Sequence, residues 1–274
     1  RASAGRCVVA LRAAFSSLCR LVFKFLAQGI RRGRIVGGRA NPAEQAHMHH
    51  HSIHRARWLL VLAAATTALL IASGWRPYDR ATWLMEVLPV IVALPLLAAT
   101  WRRYPLTSLL YALIFLHAGV LMLGGAYSYA RVPLGFQLQE MLQLSRNPYD
   151  KIGHFFQGFV PALIAREILL RGDHVRGRRM LAFLVTCIVL AISATYEFIE
   201  WGAALALGQG ADEFLGTQGD PWDTQSDMFF ALLGALAAQL TLAGLHDRQL
   251  ARLRIDCGGQ AQRLLQIGFV SGNR

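Results

Sequence analysis

Three stretches of this chain place acids and an imidazole at helical spacing: Asp150-Lys151-x-x-His154-x-x-Gln157, Glu197-x-x-Glu200 and Asp220-x-x-Asp223-x-x-x-Asp227. Residues three or four apart share a helix face, so each stretch presents its polar groups as a set. Carboxylates around one imidazole suit three kinds of chemistry: holding a divalent cation, exchanging protons, and locking helices by ion pairs. Glu197 and Glu200 repel when both are ionised, so a proton, a nearby Lys or Arg, or a bound cation has to offset them. Asp150, Lys151, His154, Gln157, Glu197, Glu200, Asp220, Asp223, Thr224 and Asp227 form the candidate polar site, with His154, Glu197, Glu200 and Asp227 as candidate metal ligands. The cofactor implied is a divalent cation. Hard oxygen ligands suit Mg²⁺, Ca²⁺ or Mn²⁺, and one imidazole among carboxylates also accepts Zn²⁺. Each residue has a structural reading as well: Asp150 and Asp227 suit helix N-termini, and Lys151 can pair with a carboxylate or reach toward head groups.

The elements that must position these groups are greasy. Hydrophobic residues make up 54% of the 274 residues and charged residues 16%, with a mean hydropathy of +0.37, a composition that marks an integral membrane protein. A hydrocarbon core of about 30 Å needs about 20 apolar residues per helix. Runs of that kind lie at about residues 58–74, 83–101, 106–128, 153–170, 180–200 and 227–245. The expected fold is therefore all-α, a polytopic transmembrane bundle of about six spans with both termini cytoplasmic. Its lipid partner is the bilayer itself.

Cys7, Cys19, Cys187 and Cys257 are scattered and imply neither a disulfide framework nor a zinc knuckle. Residues 1–57 hold eleven Lys/Arg against the single acid Glu44, so +10 of the net +12 lies there and nucleic acid is not a suggested partner. The composition predicts translation from Met48, with residues 1–57 a basic N-terminal segment of which 1–47 are dispensable for insertion and folding. Taken as it stands, Cys7 to Ile30 reads as an amphipathic surface helix or a targeting segment. The remaining boundaries are a six-span membrane domain at 58–246 and a basic cytoplasmic tail at 247–274. The run from His49 to His54 is assigned no site.

Orientation follows from Lys/Arg in the short loops, which mark the cytoplasmic side. Arg55 and Arg57, Arg102 and Arg103, the Arg171–Arg179 group, and Arg248, Arg252 and Arg254 fall on one side. The opposite loops hold fewer, and none lies between Trp201 and Ser226. Residues 202–226, with Asp212, Glu213, Asp220 and Asp223 among five glycines and Pro221, read as a shaped external loop. His154, Gln157, Glu197, Glu200 and Asp227 thus converge at the outer level. Arg166 and Glu167 fall at the inner end and are expected to pair structurally. Tyr127, Tyr129, Trp75, Trp83 and Trp101 suit aromatic belts, and Gly234 with Ala238 offers a small face for close helix contact.

The stretches Tyr149-Asp150-Lys151-Ile152-Gly153-His154-Phe155-Phe156-Gln157-Gly158-Phe159, Tyr196-Glu197-Phe198-Ile199-Glu200-Trp201, and the run from Phe214 to Met228 with its Asp220-Pro221-Trp222-Asp223-Thr224 core closely resemble the YjdF-like bacterial inner-membrane proteins. The resemblance covers most of residues 58–245. It implies a location, the bacterial inner membrane, for a family whose function is uncharacterised. A weaker resemblance is to VanZ-like proteins, in which an Asp-Lys-x-x-His helix start, a later Glu on a span and an Asp before a Gly-containing last span recur in that order. It implies a role in the cell envelope, and it departs at the loop carrying Pro221 and Trp222.

Three functions compete. In the first, the outer carboxylates and His154 bind a divalent cation or a lipid or envelope-precursor head group, with cation-dependent envelope or lipid-related activity. A non-catalytic membrane scaffold is the second, and a proton- or cation-coupled transporter the third. Against the transporter, the charges gather at one face instead of the mid-membrane level.

Overall fold

The computed structural model describes residues 42–207 and 218–271, with side-chain surroundings for 55–205 and 218–253. The expected Cys7 to Ile30 helix and the loop residues Asp212 and Glu213 lie outside these. The described chain is all-α, with seven helices: α1 (Pro42–Trp75), α2 (Arg80–Thr100), α3 (Ser108–Tyr127), α4 (Pro133–Met141), α5 (Tyr149–Arg171), α6 (Arg178–Leu207) and α7 (Asp223–Ser271).

Among the described residues, five segments are long and apolar enough to cross a membrane: Arg55–Trp75, Arg80–Thr100, Ser108–Tyr127, Arg178–Leu205 and Asp223–Leu253. The remaining expected span, the fourth at 153–170, corresponds to α5. At 23 residues, or about 34 Å, it is long enough. It carries Asp150, Lys151, His154, Arg166, Glu167 and Arg171, too much charge to face lipid. The bundle hides it, with α3, α6 and α7 packed around it.

Three boundaries differ from expectation. The short helix α4 stands in what reads as a plain connection, because Pro133 at its start predisposes a first turn that nine residues extend. Helix α6 continues to Leu207 and α7 begins at Asp223, so both ends of the expected 202–226 loop are helical. The expected tail boundary at 247 falls inside α7, where the leucines, arginines and glutamines after Asp247 favour continuation.

Local chemistry sets the starts. The Asp79 carboxylate accepts hydrogen bonds from the Thr82 amide at 2.7 Å and the Thr82 hydroxyl at 2.8 Å, capping α2. Thr107 caps α3 through the Leu110 amide. The core gathers Leu110, Leu163, Val185 and Val189 around a stripe of fully buried alanines on α7, Ala231, Ala235 and Ala238. The stripe lets α5 and α7 touch backbone to backbone. A Cβ on Gly158 would lie 1.8 Å from the Ala231 carbonyl oxygen, and one on Gly234 would lie 2.0 Å from that of Phe155. Gly234 and Ala238 therefore lie on a close contact face, as their spacing suggested.

Candidate functional site

The first turns of α5 and α7 meet at one end of the bundle. Asp150 opens α5 and Asp223 opens α7, where the free amides and the helix dipole favour carboxylates. The close α5–α7 contact brings these ends together. His154, one turn into α5, is buried between them.

The two ring nitrogens of His154 face different neighbours. Nδ1 pairs with Gln157 Oε1 at 3.0 Å and has Glu197 Oε1 beyond it at 3.9 Å. Nε2 faces Asp150 Oδ1 at 3.5 Å and Asp227 Oδ2 at 3.7 Å, at and beyond the limit of a direct hydrogen bond. Ligands about 2.1 Å from a tetrahedral ion stand about 3.4 Å apart, so these spacings fit three atoms around a common centre. One ligand atom from each of Asp150, His154 and Asp227 lies within 4.8 Å of the others. Asp150 Oδ2 and Glu197 Oε1 are buried without a hydrogen-bond partner.

This differs from the expected ligand set of His154, Glu197, Glu200 and Asp227. Asp150 belongs with the group because i,i+4 spacing carries it to the Nε2 side. Glu197, on α6, meets the ring on its Nδ1 side, where Gln157 already stands. Glu200, one turn further along α6, is half-buried and outside the three-atom group.

The rim is an ion-pair chain. Lys151 Nζ lies 2.6 Å from Asp227 Oδ1 and 2.8 Å from Asp223 Oδ1, and 3.8 Å from Asp150 Oδ2. Arg146 reaches Asp223 Oδ1 at 2.8 Å and Asp220 Oδ2 at 2.6 Å. Asp223 therefore joins both cations, and the residues preceding α5 are tied to the start of α7. Thr224 is exposed, with its hydroxyl in hydrogen-bonding reach of Glu197.

Sequence reasoning missed two members. Glu86, alone among the apolar residues of α2, is buried and receives a hydrogen bond from the Tyr196 hydroxyl at 3.0 Å. Tyr196 in turn sets its ring edge-on to His154, centroids 6.4 Å apart. Tyr129, expected in an aromatic belt, is buried instead. Ser128 and Tyr129 take φ of 59° and 36°, a left-handed turn that costs about 1–3 kcal/mol per residue and carries the Tyr129 ring inward to Tyr149 and Glu86. Burial, with the charges of Glu86 and Asp150, holds the Tyr129 phenol proton well above its ordinary range, so this hydroxyl is neutral at the site. A lone acid in a long apolar run was the available signal for Glu86. Nothing in the spacing marked Tyr129.

A second cluster occupies the opposite end of α5. Glu167 receives hydrogen bonds from the Thr107 amide and hydroxyl, His246 and Arg171, and Arg166 reaches Asp247 at 2.7 Å. Arg166 and Glu167 thus make the interhelical pairs expected of them. Asp227 and His246 lie nineteen residues apart on α7, about 28 Å of rise, so the two clusters stand roughly a hydrocarbon core apart.

A charged helix wrapped by apolar helices, with ionisable clusters at both its ends, defines a polytopic helical membrane protein. The comparisons specify the family. Residues 58–248 match the family described as "Predicted membrane protein (DUF2238)". The chain is 67% identical over 196 residues to Inner membrane protein YjdF of Escherichia coli (strain K12), an alignment covering 72% of this chain and 94% of that protein. No solved structure matches. The chain belongs to this YjdF-like DUF2238 family.

Proposed function

We propose that the chain is a six-span inner-membrane protein that holds a divalent cation between Asp150, His154 and Asp227 and uses it to bind an anionic lipid or envelope-precursor head group at the outer face. The observation that carries this reading is the open triangle of Asp150 Oδ1, His154 Nε2 and Asp227 Oδ2, with the carboxylate oxygens 3.5 and 3.7 Å from the ring nitrogen, at and beyond the hydrogen-bond limit and of the right size for coordination. Charge supports it as well. Among the described residues, Glu86, Asp150, Glu197, Glu200, Asp220, Asp223 and Asp227 gather around two permanent cations, Arg146 and Lys151. The name of the Escherichia coli relative supports the inner membrane. The excess of Lys/Arg in the loops on the other side supports an outward site and cytoplasmic termini.

A scaffold reading is favoured by the rim, where Lys151 and Arg146 already stitch α5 to α7. A transporter reading has less support, because α5 carries no polar side chain from Gly158 to Ala165, between its two clusters.

Melting of the purified protein against added Mg²⁺, Mn²⁺, Ca²⁺ and Zn²⁺ tests the proposal. A bound ion stabilises by mass action, about 2.7 kcal/mol at a hundredfold excess over Kd. The wild type should melt later with at least one ion, and Asp150→Asn and His154→Ala should lose that shift. A wild type indifferent to every ion, with both variants merely melting earlier, would favour the scaffold.

A further inference from the structure

The connections at the two ends of α5 differ in what they expose. At the end near Arg171, the segment leading to α6 exposes Asp173, His174 and Arg176, an ordinary water-facing surface. At the site end, α4 and the residues after it expose Leu134, Phe136, Met141, Leu142 and Leu144, with Met141 70% exposed. Trp222, on the site's other rim, is 68% exposed. Helix α4 spans only nine residues, about 14 Å, too short to cross a bilayer. It follows within a few residues of the end of α3, a helix long and apolar enough to cross a membrane.

This greasy segment is fastened to the site. The side chain of Asn147, 2% exposed, donates to the Val132 carbonyl at the start of α4 at 3.1 Å and accepts from the Tyr149 amide at the start of α5 at 3.0 Å. Its backbone exchanges hydrogen bonds with the Gln218 amide group at 3.1 and 3.2 Å. Next to it, Arg146 holds Asp220 and Asp223. Asn147 thus couples α4, the mouth of the site and the approach to α7.

We infer that α4 and residues 142–144 lie in the bilayer boundary with their apolar side chains against acyl chains, so that the site opens to the lipid surface and its ligand is the phosphate head group of a membrane lipid. Apolar side chains at this level gain free energy from the acyl boundary, and Trp222 is the residue type that favours it. A second copy of the chain or open water are the competing occupants. The surface stands independently of the metal, whereas the lipid-borne ligand rests on the cation reading above.

Nitroxide labels on single cysteines at Leu134, Phe136 and Met141 test the surface. The full chain with its four native cysteines changed to serine would be placed in bilayers of phosphatidylethanolamine and phosphatidylglycerol, with Arg176→Cys as the aqueous reference. Oxygen should relax the three labels more than a water-soluble nickel chelate does, and the reverse should hold at position 176. Greater access to the chelate at all three, or exclusion of both reagents by a covering protein, would overturn the surface. The same protein loaded with Mn²⁺ tests the ligand through phosphorus relaxation. Lipid phosphate should relax faster than with His154→Gln, while added inorganic phosphate in water should not. Mn²⁺ that binds but relaxes only inorganic phosphate would refute the lipid ligand, and failure to bind Mn²⁺ would refute the cation reading while leaving the surface result intact.

Discussion

His246 Nε2 lies 3.0 Å from Glu167 Oε2, and neither side chain reaches solvent. The other ring nitrogen, Nδ1, is 3.1 Å from Arg166 Nη1. Arginine only donates, so Nδ1 accepts and Nε2–H donates to Glu167. That fixes the tautomer and makes His246, with the Arg166–Asp247 pair, a link between α5 and α7 at the end remote from the candidate site.

Replacing His246 with leucine should therefore cost about 1–3 kcal/mol, because it removes a buried hydrogen bond from Glu167 and another from Arg166 while their charges stay paired with Arg171 and Asp247. Unfolding in detergent reads this directly. A loss under about 1 kcal/mol would mean that the network is not a structural lock.

Close α5–α7 packing makes a contrast between glycines. Gly158→Val should prevent accumulation of folded protein, since even a Cβ would fall 1.8 Å from the Ala231 oxygen. Gly244→Ala, where nothing lies within 4 Å, should be harmless or slightly stabilising. Size-exclusion profiles after solubilisation compare them, and equal monodisperse yields would contradict the packing.

Acid should act on α2 through its cap. The Thr82 amide, ahead of its hydroxyl, holds the Asp79 carboxyl below its ordinary value of 3.8. A depressed folded value means that the stabilisation is present above pH 3.8 and is lost as pH falls through the lower folded value. Asp79→Ala should cost about 1 kcal/mol at pH 7. Its difference from the wild type should shrink below pH 3.8, and a difference constant down to pH 2 would count against the cap.

Reporter fusions check the proposed orientation. Fusions after Arg103, Arg179 and Arg254 should report cytoplasm, and one at Gly219 should report the outer side. A cytoplasmic signal at Gly219 would move the candidate site to the inner face.

The legible parts of this molecule were those that repeat at helical spacing. Asp150, Lys151, His154 and Gln157 announce one face, as do Glu197 and Glu200, and Gly234 with Ala238 announces a contact. Glu86 has no companion a turn away, so its role emerges only when α6 brings Tyr196 alongside. Spacing of i,i+4 places Asp150 beside His154, but that Glu197 meets the ring on its Nδ1 side and Glu200 stays outside the triangle depends on how α6 packs against α5, which no spacing encodes. Arg146 and Asn147 act from a connection, where tertiary pairing decides the partner. Helix α4 is short and mixed in pattern, so periodicity could not set it apart from a loop.

Pulsed electron paramagnetic resonance of Mn²⁺ bound to the purified protein reads coordination by His154 without an intermediary. Nitrogen modulation from one imidazole should accompany the bound ion in the wild type. It should vanish in His154→Gln, a variant whose folded state is checked by its elution profile, and Asp227→Asn should weaken Mn²⁺ binding. Bound Mn²⁺ whose nitrogen signal survives loss of His154, or a wild type that binds no ion, would rule out a cation held by His154.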